Sequence, residues 1–308
     1  MEFTYGAVDR LAPGLRRVIA ENPSKYTFRG SGTYLVGQGE VAVIDPGPDK
    51  EGHLTALLAA VDGEQVTHIL VTHTHRDHSP LARRLSAETG APIWGCGPHD
   101  PHDEWPHDPA DDEEAAEADD DGEERTEGGF DADHAPDRRL THGDVVDGSG
   151  WRIEVVHTPG HTSNHLCFAT ADGALFSGDH VMGWSTSVIA PPDGDMAAYL
   201  ASLRLLLDRP DAIYYPTHGP PITQPHAHVE AFVAHRMERE KAIVALLRER
   251  GPSTIVEMVP TLYADVHERL YRPAARSVHS HLRHLLDRGV VDVEGDPRIR
   301  SEAIWTPA

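Results

Sequence analysis

The sequence predicts an α/β fold in which one large domain is followed by a small winged-helix-like domain. Two patterns predict it. Short β-branched runs alternate with helical patterns between Leu15 and Tyr215, and the final residues show helical patterns followed by two strand-like runs. The length of 308 residues and the apolar content of 39% are sufficient for one large core and a small appended domain.

The first part of the chain alternates strands and helices between glycine and proline residues. Strands are predicted at Leu15–Ala20, Thr33–Val36, Val41–Ile44 and Ile69–Thr72, and helices at Leu54–Val61 and Leu81–Thr89, the second closed by Gly90. This alternation indicates that strands and helices pack against each other in layers.

An acidic segment interrupts this pattern at about residues 100–137. It contains 18 acidic residues and one arginine, a net charge of −17, which leaves about −6 of the total of −23 for the rest of the chain. Because it contains almost no aliphatic residues, it cannot bury enough apolar surface to order itself. We therefore expect an insertion that is disordered at least from Asp108 to Gly129.

Strand patterns resume after the insertion. Strands are predicted at Trp151–Val156, Leu166–Thr170, Ala174–Phe176 and Ala212–Tyr215, a helix near Met196–Leu207, and one or two helices over Pro225–Arg250. We expect residues 1–225 to form the catalytic domain and 226–250 a helical connector.

The C-terminal part, residues 251–308, has the element order of a winged helix. Thr254 and Glu257 have the spacing of a capping box at a helix start. Apolar residues then recur at helical spacing from Ala275 to Leu286, and strand patterns follow at Val290–Val293 and Ala303–Thr306. Five arginines between Glu268 and Arg288 could contact phosphates, although a packing, dimer-forming or pocket-wall role is the favoured interpretation of this modest basic patch.

The two cysteines, Cys96 and Cys167, exclude a disulfide framework and a zinc–thiolate cluster. Histidines and carboxylates are then the available metal ligands. The cysteine content and the lack of a long apolar stretch lead us to expect a cytoplasmic protein without a membrane partner.

A cluster of potential metal ligands follows the strand predicted at Ile69–Thr72. It consists of His73, His75, Asp77 and His78. In an extended backbone alternate residues project to one side, so His73 and His75 face together, and the following turn can direct Asp77 and His78 to a neighbouring point. Two adjacent metal sites would need about seven or eight donors.

Three further candidate donors each follow a predicted strand: His161, Asp179 and His218. Taken singly, each could be a cap or turn residue, but their joint occurrence indicates a metal site. Asp45, in a sequence typical of a turn, and Trp184 and Thr186, shortly after Asp179, are further candidates for the site and its substrate pocket.

These motifs resemble those of the metallo-β-lactamase superfamily. The resemblance implies an αββα sandwich of two mixed sheets flanked by helices, with His73, His75 and His161 binding one metal and Asp77, His78 and His218 the other. It also implies that Asp179 bridges both metals, that Asp45 supports the site without binding metal, and that Asp77 and Asp179 take part in catalysis. We expect two divalent ions, with zinc as the first choice and Mn²⁺ or Fe²⁺ as alternatives.

Such a site predicts a hydrolase that uses a metal-bound hydroxide on an ester, a thioester or a phosphodiester. The carboxylate of Asp179 disfavours β-lactam hydrolysis, since the antibiotic-degrading members lack it. The C-terminal part resembles the β-lactamase-like protein 2 group, which implies cleavage of single-stranded RNA as an alternative. A non-catalytic regulator that binds metal or nucleic acid is a less favoured alternative. Assembly of the protein as a homodimer also remains open.

Overall fold

The computed structural model describes residues 3–98, 105–109 and 129–308. The described residues form a sandwich of two mixed β-sheets with helices on its outer faces, followed by a winged-helix domain. The predicted fold class is confirmed.

The first sheet has seven strands in sequential order. They are β1 (Val8–Ala12), β2 (Leu15–Ile19), β3 (Gly32–Gln38), β4 (Glu40–Ile44), β5 (Gln65–Val71), β6 (Ile93–Gly95) and β7 (Arg138–Arg139). Strands β1 to β4 pair antiparallel, and β4 to β7 pair parallel. The strand β1 was not predicted, because its alternating residues are exposed or half-buried and leave little apolar pattern.

Two helices cover this sheet, α1 (Glu51–Ala60) and α2 (Ala82–Thr89). Gly90 ends α2 with a φ of 74°, a left-handed conformation that glycine adopts without steric cost. The parallel strands need such crossover helices, which explains the alternation of elements in the sequence.

The second sheet has five strands in the order β12-β11-β10-β9-β8. They are β8 (Val145–Gly148), β9 (Trp151–His157), β10 (Leu166–Thr170), β11 (Ala174–Gly178) and β12 (Ile213–Pro216). Its outer face packs against α3 (Met196–Leu207) and α4 (Pro225–Arg250). Most of its pairs are antiparallel, but β11 and β12 run parallel, so their C-terminal ends lie side by side.

The main core lies between the two sheets. Along β9, Trp151, Ile153 and Val155 are buried in this core, whereas Arg152 and Glu154 between them are exposed. This period of two is the pattern of a strand with one face towards a core. Val156 belongs to the second apolar cluster, on the side of α3 and α4.

The winged-helix domain follows α4, which is a single helix ended by Gly251. It contains α5 (Ile255–Leu262), a short 3-10 helix (Glu268–Leu270), α6 (Tyr271–Asp287), and the hairpin of β13 (Val291–Glu294) and β14 (Ile304–Pro307). The Thr254–Glu257 capping box is present. The apolar core of the winged-helix domain includes residues of α4 such as Ile243 and Leu247, so the helical connector also packs as part of this domain.

Both described ends of the acidic insertion make defined contacts, and the expected disorder of Asp108 to Gly129 stays a prediction. At one end, Asp108 is buried and its Oδ2 accepts hydrogen bonds from the backbone N–H groups of Arg300 (2.6 Å) and Ser301 (3.2 Å). At the other end, Gly129 accepts a hydrogen bond from the backbone N–H of Arg76. Composition alone did not reveal these contacts, because they are made to distant parts of the chain. Most of the stretch predicted to be disordered, residues 110–128, lies outside the described residues.

None of the helices that the structure describes has the length and apolar character needed to cross a lipid bilayer.

Candidate metal centre

The seven predicted metal ligands come from loops that follow four strands. His73, His75, Asp77 and His78 follow β5, His161 follows β9, Asp179 follows β11, and His218 follows β12. The structure brings all seven together at one edge of the sandwich, in overlapping groups whose donor atoms lie within 4.8 Å of one another.

The first group consists of His73, His75 and His161. Nδ1 of His75 lies 2.9 Å from Nε2 of His73 and 3.1 Å from Nε2 of His161. Zinc–nitrogen bonds of about 2.05 Å place ligand nitrogens roughly 3.3 Å apart in a tetrahedron. The three imidazoles therefore converge at close to metal-ligand spacing.

The second group consists of Asp77, His78 and His218. Oδ2 of Asp77 lies 3.0 Å from Nε2 of His218 and 3.3 Å from Nε2 of His78. A carboxylate and two imidazoles are again donors that suit zinc, manganese or iron.

Asp179 lies between the two groups. Its Oδ1 faces the second group, at 3.5 Å from Nε2 of His78 and 3.4 Å from Nε2 of His218. Its Oδ2 lies 3.8 Å from Nε2 of His161, which belongs to the first group. One carboxylate thus presents a different oxygen to each group.

Buried polar atoms show that these residues fit metal ions. Nε2 of His78 and Oδ1 of Asp179 are buried and have no hydrogen-bond partner among the residues that the structure describes. A buried polar atom without a partner costs free energy. Two divalent cations, held by the first and second groups with Asp179 between them, would provide the missing partners.

The electrostatics differ between the two groups. Burial, together with the neighbouring His161, lowers the pKa of His75 to about 3, so its ring is neutral and its lone pair is available. In the second group, burial opposes the charge of His218, but Asp179 and Asp77 raise its pKa to about 10. Burial would raise the pKa of Asp77, yet His78 and His218 hold it well below its usual value. The second group is therefore built around ionised carboxylates that attract cations.

Asp45 supports the second group through contacts with His78 and with two threonine hydroxyls. It has a φ of 49°, a left-handed conformation that is uncommon for residues other than glycine. Its Oδ2 lies 2.9 Å from Nδ1 of His78 and accepts hydrogen bonds from the hydroxyls of Thr72 (2.8 Å) and Thr217 (3.2 Å). The contact with His78 fixes the ring so that Nε2 points to the donor groups.

Other ligand histidines are oriented in the same way. Nδ1 of His161 lies 2.6 Å from the carbonyl oxygen of Val188, and Nδ1 of His218 lies 3.3 Å from that of Gly30. A side chain at Gly160 would collide with the backbone of Tyr199, at 2.3 Å from its Cα, so glycine is required beside His161.

The neighbouring histidines have supporting or packing contacts. His165 is buried, with Nδ1 2.8 Å from the hydroxyl of Thr158 and Nε2 accepting from the backbone N–H of Asp179. His180 is buried and packs against the ring of Tyr199.

A cavity of about 270 Å³ opens beside the donor atoms. Its walls include Trp184, which was predicted, and Ser185, but Thr186 does not line it. The assignment of Thr186 to the substrate pocket stays a prediction; the next residue, Ser187, is buried and donates a hydrogen bond to the carbonyl of His180.

The lining residues that the sequence analysis did not single out include Lys25, Phe130 and Met182. The ring of Phe130 lies 5.0 Å from that of His75, and its backbone forms a β-bridge with the same residue. Phe130 belongs to the distal end of the acidic insertion, whose composition concealed it.

Asp131, next to Phe130, ties this end of the insertion to the loop of metal ligands. Its backbone N–H donates to the carbonyl of Thr74, and its carboxylate accepts hydrogen bonds from Ser79 at 2.9 Å and from Arg83 at 3.0 Å. Thr74 and Ser79 lie before and after His75, Asp77 and His78 in the sequence. Asp131 therefore forms hydrogen bonds with both ends of the loop that carries these three ligands.

Two bridged groups of histidine and carboxylate donors on an αββα sandwich define a class of metal-dependent hydrolase. In agreement, residues 26–218 match the family model of the metallo-beta-lactamase superfamily, and residues 254–305 match that of the beta-lactamase associated winged helix domain. The chain belongs to the metallo-beta-lactamase superfamily.

Relatives with similar sequences match over nearly the whole chain. The chain is 30% identical over 298 residues to the beta-lactamase-like protein 2 homolog of Drosophila melanogaster, covering 93% of this chain and 92% of the relative. It is 28% identical over 307 residues to the atrochrysone carboxyl ACP thioesterase of Aspergillus chevalieri, covering 96% and 85%.

Solved structures show the same fold. A metallo-beta-lactamase family protein from Thermus thermophilus matches with a TM-score of 0.73 at 26% identity, over 96% of this chain and 99% of that one. A beta-lactamase domain protein from Burkholderia ambifaria matches with a TM-score of 0.78 at 22% identity, over 100% and 96%.

Proposed function

We propose that this protein hydrolyses esters or thioesters of small acyl groups with two divalent ions, zinc in the first instance. The observation that carries the proposal is the position of Asp179, with one oxygen towards each donor group at the base of a cavity. His73, His75 and His161 would hold one ion, and Asp77, His78 and His218 the other. When bound, such ions act as Lewis acids and lower the pKa of a water molecule towards neutrality.

The protein's own residues would orient the reactants. Neighbouring imidazoles hold the pKa of Asp77 and of Asp179 well below the usual value, against the effect of burial, so both carboxylates are ionised. An ionised carboxylate beside the cavity accepts a hydrogen bond from the attacking water and directs its lone pair. This is the role that we assign to Asp77 and Asp179.

The cavity walls favour an acyl group over a nucleotide. Much of the wall is apolar and comes from Met182, Val188, Ala190 and three prolines (191, 192 and 273). Such a surface excludes water and buries a hydrocarbon chain favourably. Similarity to two fungal relatives, the atrochrysone carboxyl ACP thioesterases of Aspergillus chevalieri and Claviceps purpurea, supports a thioester.

Cleavage of single-stranded RNA is the second candidate. The presence of the cationic Lys25 and Arg276 in the cavity favours it, since both can bind phosphate. The other arginines between Glu268 and Arg288 favour RNA cleavage less. Arg288 pairs with Glu240 at 3.0 Å, and the guanidinium of Arg283 lies 4.7 Å from the ring of Trp105.

A substrate panel on one zinc-loaded preparation tests these candidates. Acyl thioesters, aryl esters, β-lactams and labelled single-stranded RNA would be compared for the wild type, Asp179→Asn and the surface control Asp172→Asn. We expect thioester or ester turnover that Asp179→Asn abolishes and Asp172→Asn retains. Cleavage of RNA without turnover of any ester or thioester would replace the first candidate with the second.

A further inference from the structure

The loop between β11 and α3 contacts the metal centre at two points. Asp179 follows β11 directly, and further along the loop the carbonyl oxygen of Val188 lies 2.6 Å from Nδ1 of His161. In a ligating histidine, the hydrogen bond of the nitrogen that does not bind metal fixes the orientation of the ring. The position of the Val188 carbonyl therefore determines where Nε2 of His161 points.

The backbone around Val188 is not held by a sheet or a helix. In the part of the chain that the structure describes, the backbone groups of residues 184–189 form no hydrogen bond with another backbone group. Side-chain contacts must then fix this stretch. The carbonyl of Ser187 accepts a hydrogen bond from the guanidinium of Arg236, which lies on α4. That carbonyl belongs to the planar peptide unit that joins Ser187 to Val188, so Arg236 holds the backbone directly before the Val188 carbonyl.

Tyr199 of α3 packs beside the same contact. Its ring centroid lies 5.3 Å from the guanidinium carbon of Arg236, and its hydroxyl donates a hydrogen bond to the carbonyl of His180 at 3.0 Å. The backbone of Tyr199 also lies against Gly160, the residue before His161. Arg236 thus packs on a residue that contacts both the loop and the turn that carries His161.

Arg236 is buried, and an arginine is costly at such a position. Burial of a guanidinium costs free energy unless hydrogen bonds and opposite charges compensate. Its Nε has no hydrogen-bond partner among the described residues. Since an apolar side chain would fill the same space without this cost, packing alone does not account for an arginine here. The hydrogen bond to Ser187, beside the metal centre, gives the charge a role.

We propose that Arg236 is a positioning residue of the metal centre: it holds the peptide unit between Ser187 and Val188, and through Val188 it fixes the ring of His161. The inference rests on the proposed metal binding, and it holds whichever substrate the protein hydrolyses. The helix that carries Arg236 also supplies Ile243 and Leu247 to the core of the winged-helix domain. One helix therefore supports both the packing of that domain and the geometry of the first donor group.

Arg239 provides a matched control one turn further along α4. Its guanidinium donates a hydrogen bond to the carbonyl of Leu262 and lies 4.1 Å from the ring of Tyr263, both in the winged-helix domain. These are the same two kinds of contact that Arg236 makes, at a place away from the donor groups. We would compare the wild type with Arg236→Met, Arg236→Lys and Arg239→Met. Competition with a chromogenic chelator measures zinc affinity, and the absorption spectrum of the cobalt-substituted protein reports the coordination geometry.

Arg236→Met should weaken zinc binding on the order of 10-fold, the lower end of the loss expected when a partner of a ligating histidine is removed, and should change the cobalt spectrum. Arg236→Lys should keep much of the affinity, because an ammonium group can also donate to the carbonyl of Ser187. Arg239→Met should keep the affinity and the spectrum of the wild type, even if it lowers the melting temperature as much as Arg236→Met. Wild-type affinity and spectrum in Arg236→Met, or equal changes in Arg236→Met and Arg239→Met, would overturn the inference.

A double-mutant cycle tests whether Arg236 acts through His161. His161→Ala removes the ligand itself, so the addition of Arg236→Met should cause no further loss of zinc affinity. Additive losses would show that Arg236 acts by another route and would overturn the inference. Should Arg236→Met fail to fold, the shorter and neutral Arg236→Gln replaces it in both comparisons, with the same outcomes. A wild type that binds neither zinc nor cobalt would contradict the proposed function, and this inference with it.

Discussion

Nδ1 of His78 lies 2.9 Å from Oδ2 of Asp45, while Nε2 of the same ring faces the carboxylates of the second donor group. Asp45 thus determines which nitrogen of His78 is available to a metal ion. An asparagine at this position would offer one oxygen in place of two and could not accept all the hydrogen bonds that Asp45 now accepts.

We predict that Asp45→Asn weakens metal binding by about 10- to 100-fold, the usual cost of losing a partner of a ligating histidine. Competition with a chromogenic chelator measures this, and circular dichroism shows whether the fold is kept. The exposed carboxylate of Asp62 provides the matched control, Asp62→Asn. An Asp45→Asn protein that folds and binds zinc as tightly as the wild type would contradict the assigned role.

Asp131 should support the ligand loop from the acidic insertion. Since its carboxylate accepts hydrogen bonds from Ser79 and Arg83, Asp131→Ala should leave the loop less well held and lower kcat by roughly 10-fold. Two residues later, Asp133 is exposed, so Asp133→Ala is the control on the same segment. Equal rates for the two variants on the best substrate of the panel would contradict the supporting role of Asp131 in the ligand loop.

Stability should depend on pH through His281, which is buried in the winged-helix domain. Burial, with the nearby Arg236 and Arg239, lowers its pKa to about 4 despite Glu240, from 6.5 for an exposed histidine. The unfolded chain therefore binds a proton more readily than the folded one between these values. The contribution of neutral His281 is complete above pH 6.5 and is lost as the pH falls towards 4.

Melting temperatures measured between about pH 4 and pH 8 test this expectation. The difference between the wild type and His281→Leu should change across this range, because only the wild type carries the titrating imidazole. A difference that is constant with pH would show that His281 does not titrate with a lowered pKa.

The sequence was informative where function depends on the ends of strands. Each of the seven predicted ligands follows an apolar run, and the C-terminal ends of β5, β9, β11 and β12 meet at one edge, where their loops converge. The fold class was predictable for the same reason, since periods of two and of helical spacing are local properties of the chain.

The cavity was less predictable, because tertiary packing assembles it. Phe130 lies in a segment whose composition indicated disorder, and Lys25 and Arg276, which are far apart in sequence, line the same cavity only because the winged-helix domain packs beside the sandwich.

The most direct test of the two-metal account is a titration of metal-free protein with zinc, in which bound zinc and hydrolysis of the best thioester or ester are measured together. We predict that two ions bind per chain, that full activity requires both, and that Asp179→Asn prevents the second from restoring activity. Full activity in protein without bound metal would contradict the account, as would maximal activity with a single ion in the wild type.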